Sequence, residues 1–213
     1  MPSTLHIETF TLGDWMTNCY VLHTDSGACW LVDVGFSPEP MFAFIDEHGL
    51  TPQQVVLTHA HVDHVAGLPE LRRRWPDLPL LIHEAERDFP GDTMLNLSIV
   101  LANPVVAPDP TGTFKHGDTL TLDGIPFEVR HTPGHSPGGV CLYQPDHGVA
   151  LVGDTLFAGS IGRSDFPTSD GPTLMASIRD QLLTLPDDTR ILPGHGPETT
   201  IAHERATNPF LLT

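Results

Sequence analysis

Five times between Leu57 and Pro197 the sequence follows one local plan, a short apolar run and then a turn carrying a histidine or an aspartate. The stretches are Leu57–His64 (LTHAHVDH), Thr132–His135 (TPGH), Val152–Asp154 (VGD), Gly162–Phe166 (GRSDF) and Pro193–Pro197 (PGHGP). Loops at strand ends are where a rigid scaffold places its chemistry, so any fold for this chain must serve these turns together. The Pro-Gly pairs before His135 and His195 set tight turns that aim an imidazole outward. Gly153 permits close backbone approach beside Asp154.

The first stretch is the densest. His59 and His61 sit two apart, so in an extended segment their rings point the same way. Asp63 continues the alternation, and His64 joins it if the chain turns there. Two adjacent ligand pairs result, His59 with His61 and Asp63 with His64. His135 would complete a three-histidine set and His195 an Asp-His-His set, with Asp154 able to bridge the two. Imidazole and carboxylate without thiolate suit Zn²⁺, Fe²⁺ or Mn²⁺. A short motif alone is weak evidence; four further ligand-capable turns in order make a metal centre the reading to prefer. His6, His23, His48, His83, His116, His131, His147 and His203 are read as ordinary surface or core residues.

Alternation of apolar and polar residues predicts strands at Leu5–Thr11, Asn18–Thr24 and Cys29–Val34, and a short buried strand at Val55–Leu57. Ser37-Pro38-Glu39 reads as an N-cap opening a helix that Gly49 closes. A second helix runs from Gly67 to about Trp75, followed by a strand at Leu80–Ile82. Residues 88–110, rich in Pro, Gly and Asn, read as an irregular excursion with one helical turn. They either cover a pocket, pack inward or form a subunit contact. The second half repeats the theme with strands at Thr119–Leu122, Phe127–His131, Gly139–Tyr143, Val149–Val152 and Arg190–Leu192. Helices are expected at Thr173–Leu183 and Thr200–Thr207. Strands then helix, twice over, predicts an α/β chain of two similar halves, sheets inside and helices outside.

With 213 residues and 39% hydrophobic content the chain fits one larger domain. The net charge of −17, with Lys115 the only lysine, argues against nucleic acid as a partner. No stretch has the length and apolarity of a membrane span, and the N-terminal residues show no secretory pattern. Cys19, Cys29 and Cys141 are odd in number and lie far apart, which suits a reducing compartment and argues against both a disulfide framework and a thiolate zinc site. The expectation is a cytoplasmic protein, with homo-oligomerisation left open.

THAHVDH, PGHSPGG, GDTLF and PGHGP, in this order, resemble the metallo-β-lactamase fold superfamily over nearly the whole chain. LFAGSIGRSDFP and the ending PGHGPETTIAHERATNPF are more narrowly similar to short, stand-alone glyoxalase II-like hydrolases. The resemblance implies a four-layer αββα sandwich with two divalent metals at one edge of the sheets, zinc first and iron or manganese admissible. It assigns His59, His61 and His135 to one metal, Asp63, His64 and His195 to the other, and Asp154 to both. Full-length glyoxalase II adds a C-terminal helical region whose basic residues hold glutathione, and 18 residues after His195 leave no length for one. The family's lysine position near the metals is Arg163 here, and its aromatic position two residues on is Asp165.

The chemistry implied is hydrolysis of a thioester, S-lactoylglutathione or a related 2-hydroxyacyl thioester, by metal-bound hydroxide. Metal coordination lowers the pKa of water from about 15.7 to about 7, and a thiol of pKa about 8.5 leaves without strong acid assistance. Asp63 would orient or deprotonate the water, or serve purely as a ligand. Arg163 would grip a substrate carboxylate, or else pair with Asp165, which then acts as a strut behind the ligands. Thr58 is a further supporting candidate. A mononuclear-iron persulfide dioxygenase, which uses the three-histidine site alone, is the alternative on the same fold, and a non-catalytic metal-binding module a third reading. The intact PGHGP stretch favours the hydrolase.

Overall fold

Alternating residues build two β-rich halves in the computed structural model, which describes residues 4–212. β1 (Leu5–Leu12), β2 (Thr17–Thr24) and β3 (Ala28–Val32) form an antiparallel meander. β4 (Thr51–Val56), β5 (Leu80–His83) and β6 (Gly112–Phe114) then extend the sheet in parallel with β3. The second sheet runs in the order β14 (Thr199–Thr200), β13 (Arg190–Pro193), β10 (Val149–Gly153), β9 (Val140–Gln144), β8 (Ile125–His131) and β7 (Thr119–Leu122). A two-stranded ribbon, β11 (Leu156–Phe157) with β12 (Ser160–Ile161), follows β10.

Each sheet buries both faces, which is why β3, β9 and β10 read as continuous apolar runs rather than alternating ones. Between the sheets, Trp30 meets Phe127 with ring centroids 5.3 Å apart, amid Leu22, Val32, Val129 and Leu151. The outer face of the first sheet packs Leu31 and Val55 against Met41, Phe42 and Ile45 of α1 (Glu39–Glu47) and Leu68 and Leu71 of α3 (Leu68–Arg74). The outer face of the second packs Ala150, Val152 and Ile191 against Leu174 of α4 (Gly171–Ser177), Ile178 and Leu182 of the turn that continues it, and Ile201 of α5 (Ile201–Thr207). Helix, sheet, sheet, helix is the expected αββα sandwich.

Strand direction explains where the ligand-bearing turns emerge. β3 and β4 run parallel, so their C-terminal ends share an edge. β8 and β10 are both antiparallel to β9 and so run the same way, and β13 is parallel to β10. The turns after β3, β4, β8, β10 and β13 therefore leave the sandwich on common edges. The two sheets are tied there: Asn18 donates its backbone N–H to Gly194 O at 2.7 Å, and Tyr20 donates its hydroxyl to Pro193 O at 2.7 Å.

Three local expectations are corrected. Ser37 does not cap α1: it adopts φ +55°, and Pro38 precedes the helix with no side-chain cap. The helix expected over Thr173–Leu183 starts earlier, with Asp170 accepting a cap hydrogen bond from Thr173 N, and its second half, Ile178–Leu182, winds as a π-helix. The longer i+5 ring there is seen in Leu183 N–H donating to Ile178 O at 2.9 Å. Lastly, the strand expected at Val55–Leu57 begins at Thr51, and β6, β11, β12 and β14 are short additions. The 88–110 excursion is irregular as expected, with one 3₁₀ turn at Ser98–Val100.

Candidate metal centre

The loop after β4 carries Thr58, His59 and His61, the last in extended conformation, and then turns into α2 (Val62–Val65), which presents Asp63 and His64 in its first turn. The extended-then-turning path brings both ligand pairs to one place. His59, His61 and His135 have donor atoms within 4.8 Å of one another, as do Asp63, His64 and His195, and also His59, His64 and Asp154. All of these side chains are buried except His195, which is partly exposed. Asp154 lies between the groups: Oδ1 is 3.3 Å from His64 Nε2, and Oδ2 is 3.5 Å from both His135 Nε2 and His195 Nε2.

His135, Asp63 and the His195 turn are held from behind. His135 Nδ1 bonds the Arg163 carbonyl at 2.8 Å, and Ser169 Oγ donates to the His135 carbonyl at 2.6 Å. Asp63 Oδ2 accepts from Thr17 Oγ1 at 2.8 Å and lies 3.0 Å from His195 Nε2. The Pro193–Gly196 turn is clamped by Asn18, whose amide donates to Pro193 O and Gly196 O. Two glycines are required by close approach. A Cβ at Gly194 would overlap Asp154 Oδ1 and reach 2.8 Å from His64 Cε1, and one at Gly153, which has φ +50°, would sit 2.7 Å from Thr58 Oγ1.

Sequence reasoning overlooks Asp33. This buried aspartate, at φ +59° just after β3, accepts from Thr58 N (2.7 Å), Thr58 Oγ1 (2.7 Å) and His64 Nδ1 (2.8 Å). It fixes which nitrogen of His64 faces the cluster, the usual role of a carboxylate behind a ligating histidine. Its signal was a lone carboxylate at the end of the apolar run Ala28–Val34. Thr58 acts through Asp33 and also lies 3.2 Å from His59 Nδ1. Glu86 is a second overlooked group: fully buried, it accepts from Ala60 N (2.6 Å) and Gly138 N (2.8 Å), tying the His59–His61 loop to the segment beyond His135.

Arg163 makes the ion pair with Asp165 that its sequence spacing suggested, and only the strut role expected of Asp165 needs correction. Arg163 lines the cavity, but its Nε and Nη2 both donate to Asp165 at 2.9 Å and its guanidinium stacks 4.4 Å over the Phe166 ring. Asp165 is turned to solvent with its side chain 69% exposed, and it grips Arg163 rather than bracing a ligand. The strut behind His135 is the Arg163 backbone.

The electrostatics divide the cluster in two. Burial pulls His59 well below the ordinary imidazole value, lowers His135, and with His135 alongside takes His61 to about 3. All three are neutral nitrogen donors. Burial also opposes charge on His64 and His195, yet the nearby carboxylates win, keeping His64 well above its usual value and His195 at about 9. Asp63 and Asp154 are held ionised despite burial, His64 being the main cause.

A metal fits these residues on an internal observation. His59 Nε2, His61 Nε2, His64 Nε2 and Asp154 Oδ1 are buried and make no hydrogen bond. Each such group costs about 1–3 kcal/mol; four in one cluster of imidazole and carboxylate are accounted for together by divalent cations. The cluster forms the floor of a cavity of about 640 Å³. Phe166 packs edge-on to His61 (5.2 Å) and His135 (5.7 Å), and Phe157 stands 6.0 Å from His195.

Known proteins resemble this chain over nearly its whole length. The model of the metallo-beta-lactamase superfamily matches residues 12–195. A probable metallo-hydrolase, YqgX of Bacillus subtilis, is 40% identical over 94% of each chain. The hydroxyacylglutathione hydrolase GloC of Haemophilus influenzae is 35% identical over 97% of this chain and 98% of its own. Among solved structures, the BLEG-1 B3 metallo-beta-lactamase superposes with TM-score 0.93 at 37% identity, covering 98% of this chain and 100% of that one. The di-iron-bound form of TTHA1623 gives 0.85 at 39% identity, covering 96% and 100%.

Proposed function

This chain belongs to the metallo-beta-lactamase superfamily, and from that membership we propose that it is a metal-dependent thioester hydrolase acting on small molecules, with S-lactoylglutathione or a related 2-hydroxyacyl thioester as substrate. Carrying the reading is the pairing of a three-histidine group with an Asp-His-His group around Asp154, on the floor of an open cavity. Two divalent cations held there, zinc first with iron or manganese admissible, would supply Lewis acidity and a water of lowered pKa. The name carried by the Haemophilus relative supports the substrate, and the di-iron form of TTHA1623 supports a pair of metals with iron among the candidates.

The overall reaction is RCO–SR′ + H₂O → RCO₂⁻ + R′SH + H⁺: a C–O bond forms at the carbonyl carbon and the C–S bond breaks. The chain's own residues define what the site can serve. Asp63 Oδ2 is shared by Thr17 and His195, which supports a holding role over a proton-carrying one. Outside the ligand set, the cavity lining has no histidine, carboxylic acid, lysine or tyrosine. An amide needs its nitrogen protonated to leave, whereas a thiolate leaves unaided. That absence among the described residues favours thioesters. The acidic net charge of −17 supports the exclusion of nucleic acid as substrate. Among the described residues no helix is long and apolar enough to cross a membrane; we place the enzyme in the cytoplasm.

The test combines metal counting with turnover. Two metals per chain and cleavage of S-lactoylglutathione are expected. One iron per chain with oxygen uptake on glutathione persulfide would replace the reading with a dioxygenase. His195→Ala should lower metal content toward one per chain and abolish hydrolysis; unchanged content and activity would remove the basis of the proposal.

A further inference from the structure

The walls above the metal centre differ sharply from the rest of this acidic molecule. Apart from the ligands, every residue lining the cavity except Arg163 is apolar. Arg163 is already engaged, because Asp165 takes two of its five N–H groups and Phe166 covers its face. Much of the wall comes from one segment: Met94, Leu97, Ile99 and Val100 all line the cavity. Met94 is 64%, Ile99 48% and Val100 78% exposed, leaving apolar surface bare beside the catalytic floor.

The segment is held in place. The buried Asn96 amide donates to Pro90 O and Val105 O at 2.9 Å each, and Asn96 O accepts from Val62 N of α2 at 2.8 Å. Ser98 N donates to Asn96 Oδ1, and Ser98 Oγ and Val105 N are joined at 3.0 Å. Between these pins Leu97 takes φ +65°, a left-handed conformation that a leucine adopts only when its surroundings over-determine it. The backbone of the segment is therefore fastened to the helix that carries Asp63 and His64, which sets where its apolar side chains start relative to those residues.

Resting on the thioester reading, we propose that residues 94–100 determine substrate choice and that the site takes thioesters of medium-length apolar acyl groups, with Leu97, Ile99 and Val100 contacting the acyl chain. A carbonyl placed at the floor directs its acyl chain along this wall. The wall offers no free cation to an anionic acyl group, and its apolar surface rewards each methylene laid against it.

The test holds the thiol constant by using acyl-N-acetylcysteamine thioesters from acetyl to octanoyl with the metal-loaded full chain. kcat/KM should rise about two- to fourfold per added methylene, as partial to full burial of a CH₂ implies. Leu97→Asn, which keeps a residue tolerant of positive φ, and Val100→Asp should each cut the octanoyl-to-acetyl ratio at least tenfold, with metal content serving as the folding control. Turnover that is flat with chain length would overturn the inference and leave the thioester reading standing. Failure of every acyl probe and of S-lactoylglutathione would overturn the thioester reading, and this inference with it. A ratio untouched by Val100→Asp, while sedimentation shows that substitution splitting a dimer, would reassign the wall to contact between two copies.

Discussion

Replacing Asp33 with asparagine isolates one link between the fold and the metal centre. The backbone gives no confounding penalty, because asparagine tolerates the φ of +59° found there. Asp33 Oδ1 accepts from Thr58 N, while Oδ2 alone accepts from both Thr58 Oγ1 and His64 Nδ1. An asparagine oxygen can keep the first bond, but its NH₂ then confronts the hydroxyl and the imidazole. The hydroxyl can rotate. His64 can bond the amide only by accepting at Nδ1, which moves its proton to Nε2, the nitrogen that faces Asp63 and Asp154. A protonated Nε2 cannot bind a cation, so the variant must choose between a hydrogen bond and a ligand. Loss of such a partner typically weakens metal affinity 10- to 100-fold, or about 1.4–2.7 kcal/mol. Chelator competition on the loaded protein should show one metal equivalent weakened by that factor. The other, held by His59, His61 and His135, should stay within about threefold. Both equivalents retained within threefold would refute the claim that Asp33 sets the His64 tautomer.

Two other perturbations follow from the geometry. Gly194→Ala places a methyl group against Asp154 and His64; metal content measured by elemental analysis should fall below one per chain, while far-ultraviolet circular dichroism keeps its native shape. His83, buried beside His131 with ring centroids 4.0 Å apart, is lowered by burial and then by His131 to about 4. Protonation therefore favours the unfolded chain, so this stabilisation is complete above about 6.5 and is lost as pH falls from there toward 4. Scanning calorimetry should show a fall in Tm between pH 7.5 and 4.5 that is several degrees larger in the wild type than in His83→Gln, a loss of about 2 kcal/mol; equal falls would refute it.

The seven ligand candidates were legible because each stands in a turn right after an apolar run, and a strand end is visible without knowing what it packs against. Thr119–Leu122 was legible to the residue and other strands to within a few, since buried alternation is a local property. What escaped depends on distant partners. Asp33 looked like one more residue of a strand until Thr58 and His64 were seen to converge on it. Glu86 bonds backbone groups 26 and 52 positions away, and nothing near it in sequence marks it as buried. Leu174, Ile178, Leu182 and Leu185 keep a helix-like spacing whether the turn beneath them is α or π, so the π segment left no trace. Arg163 and Asp165 could be read either as a substrate grip or as an ion pair, and only the fork of two 2.9 Å bonds decides between them.

The clasp of Asn18 and Tyr20 on the turn at Pro193 joins positions more than 170 residues apart. During synthesis, then, the two groups of candidate ligands are completed at different times. The triple-imidazole set has all its members once residue 135 has emerged from the ribosome. The other waits for residue 195 and for an early strand still able to receive it. The three imidazoles are thus all present before residue 195 exists to join Asp63 and His64, and the floor of the cavity is finished last.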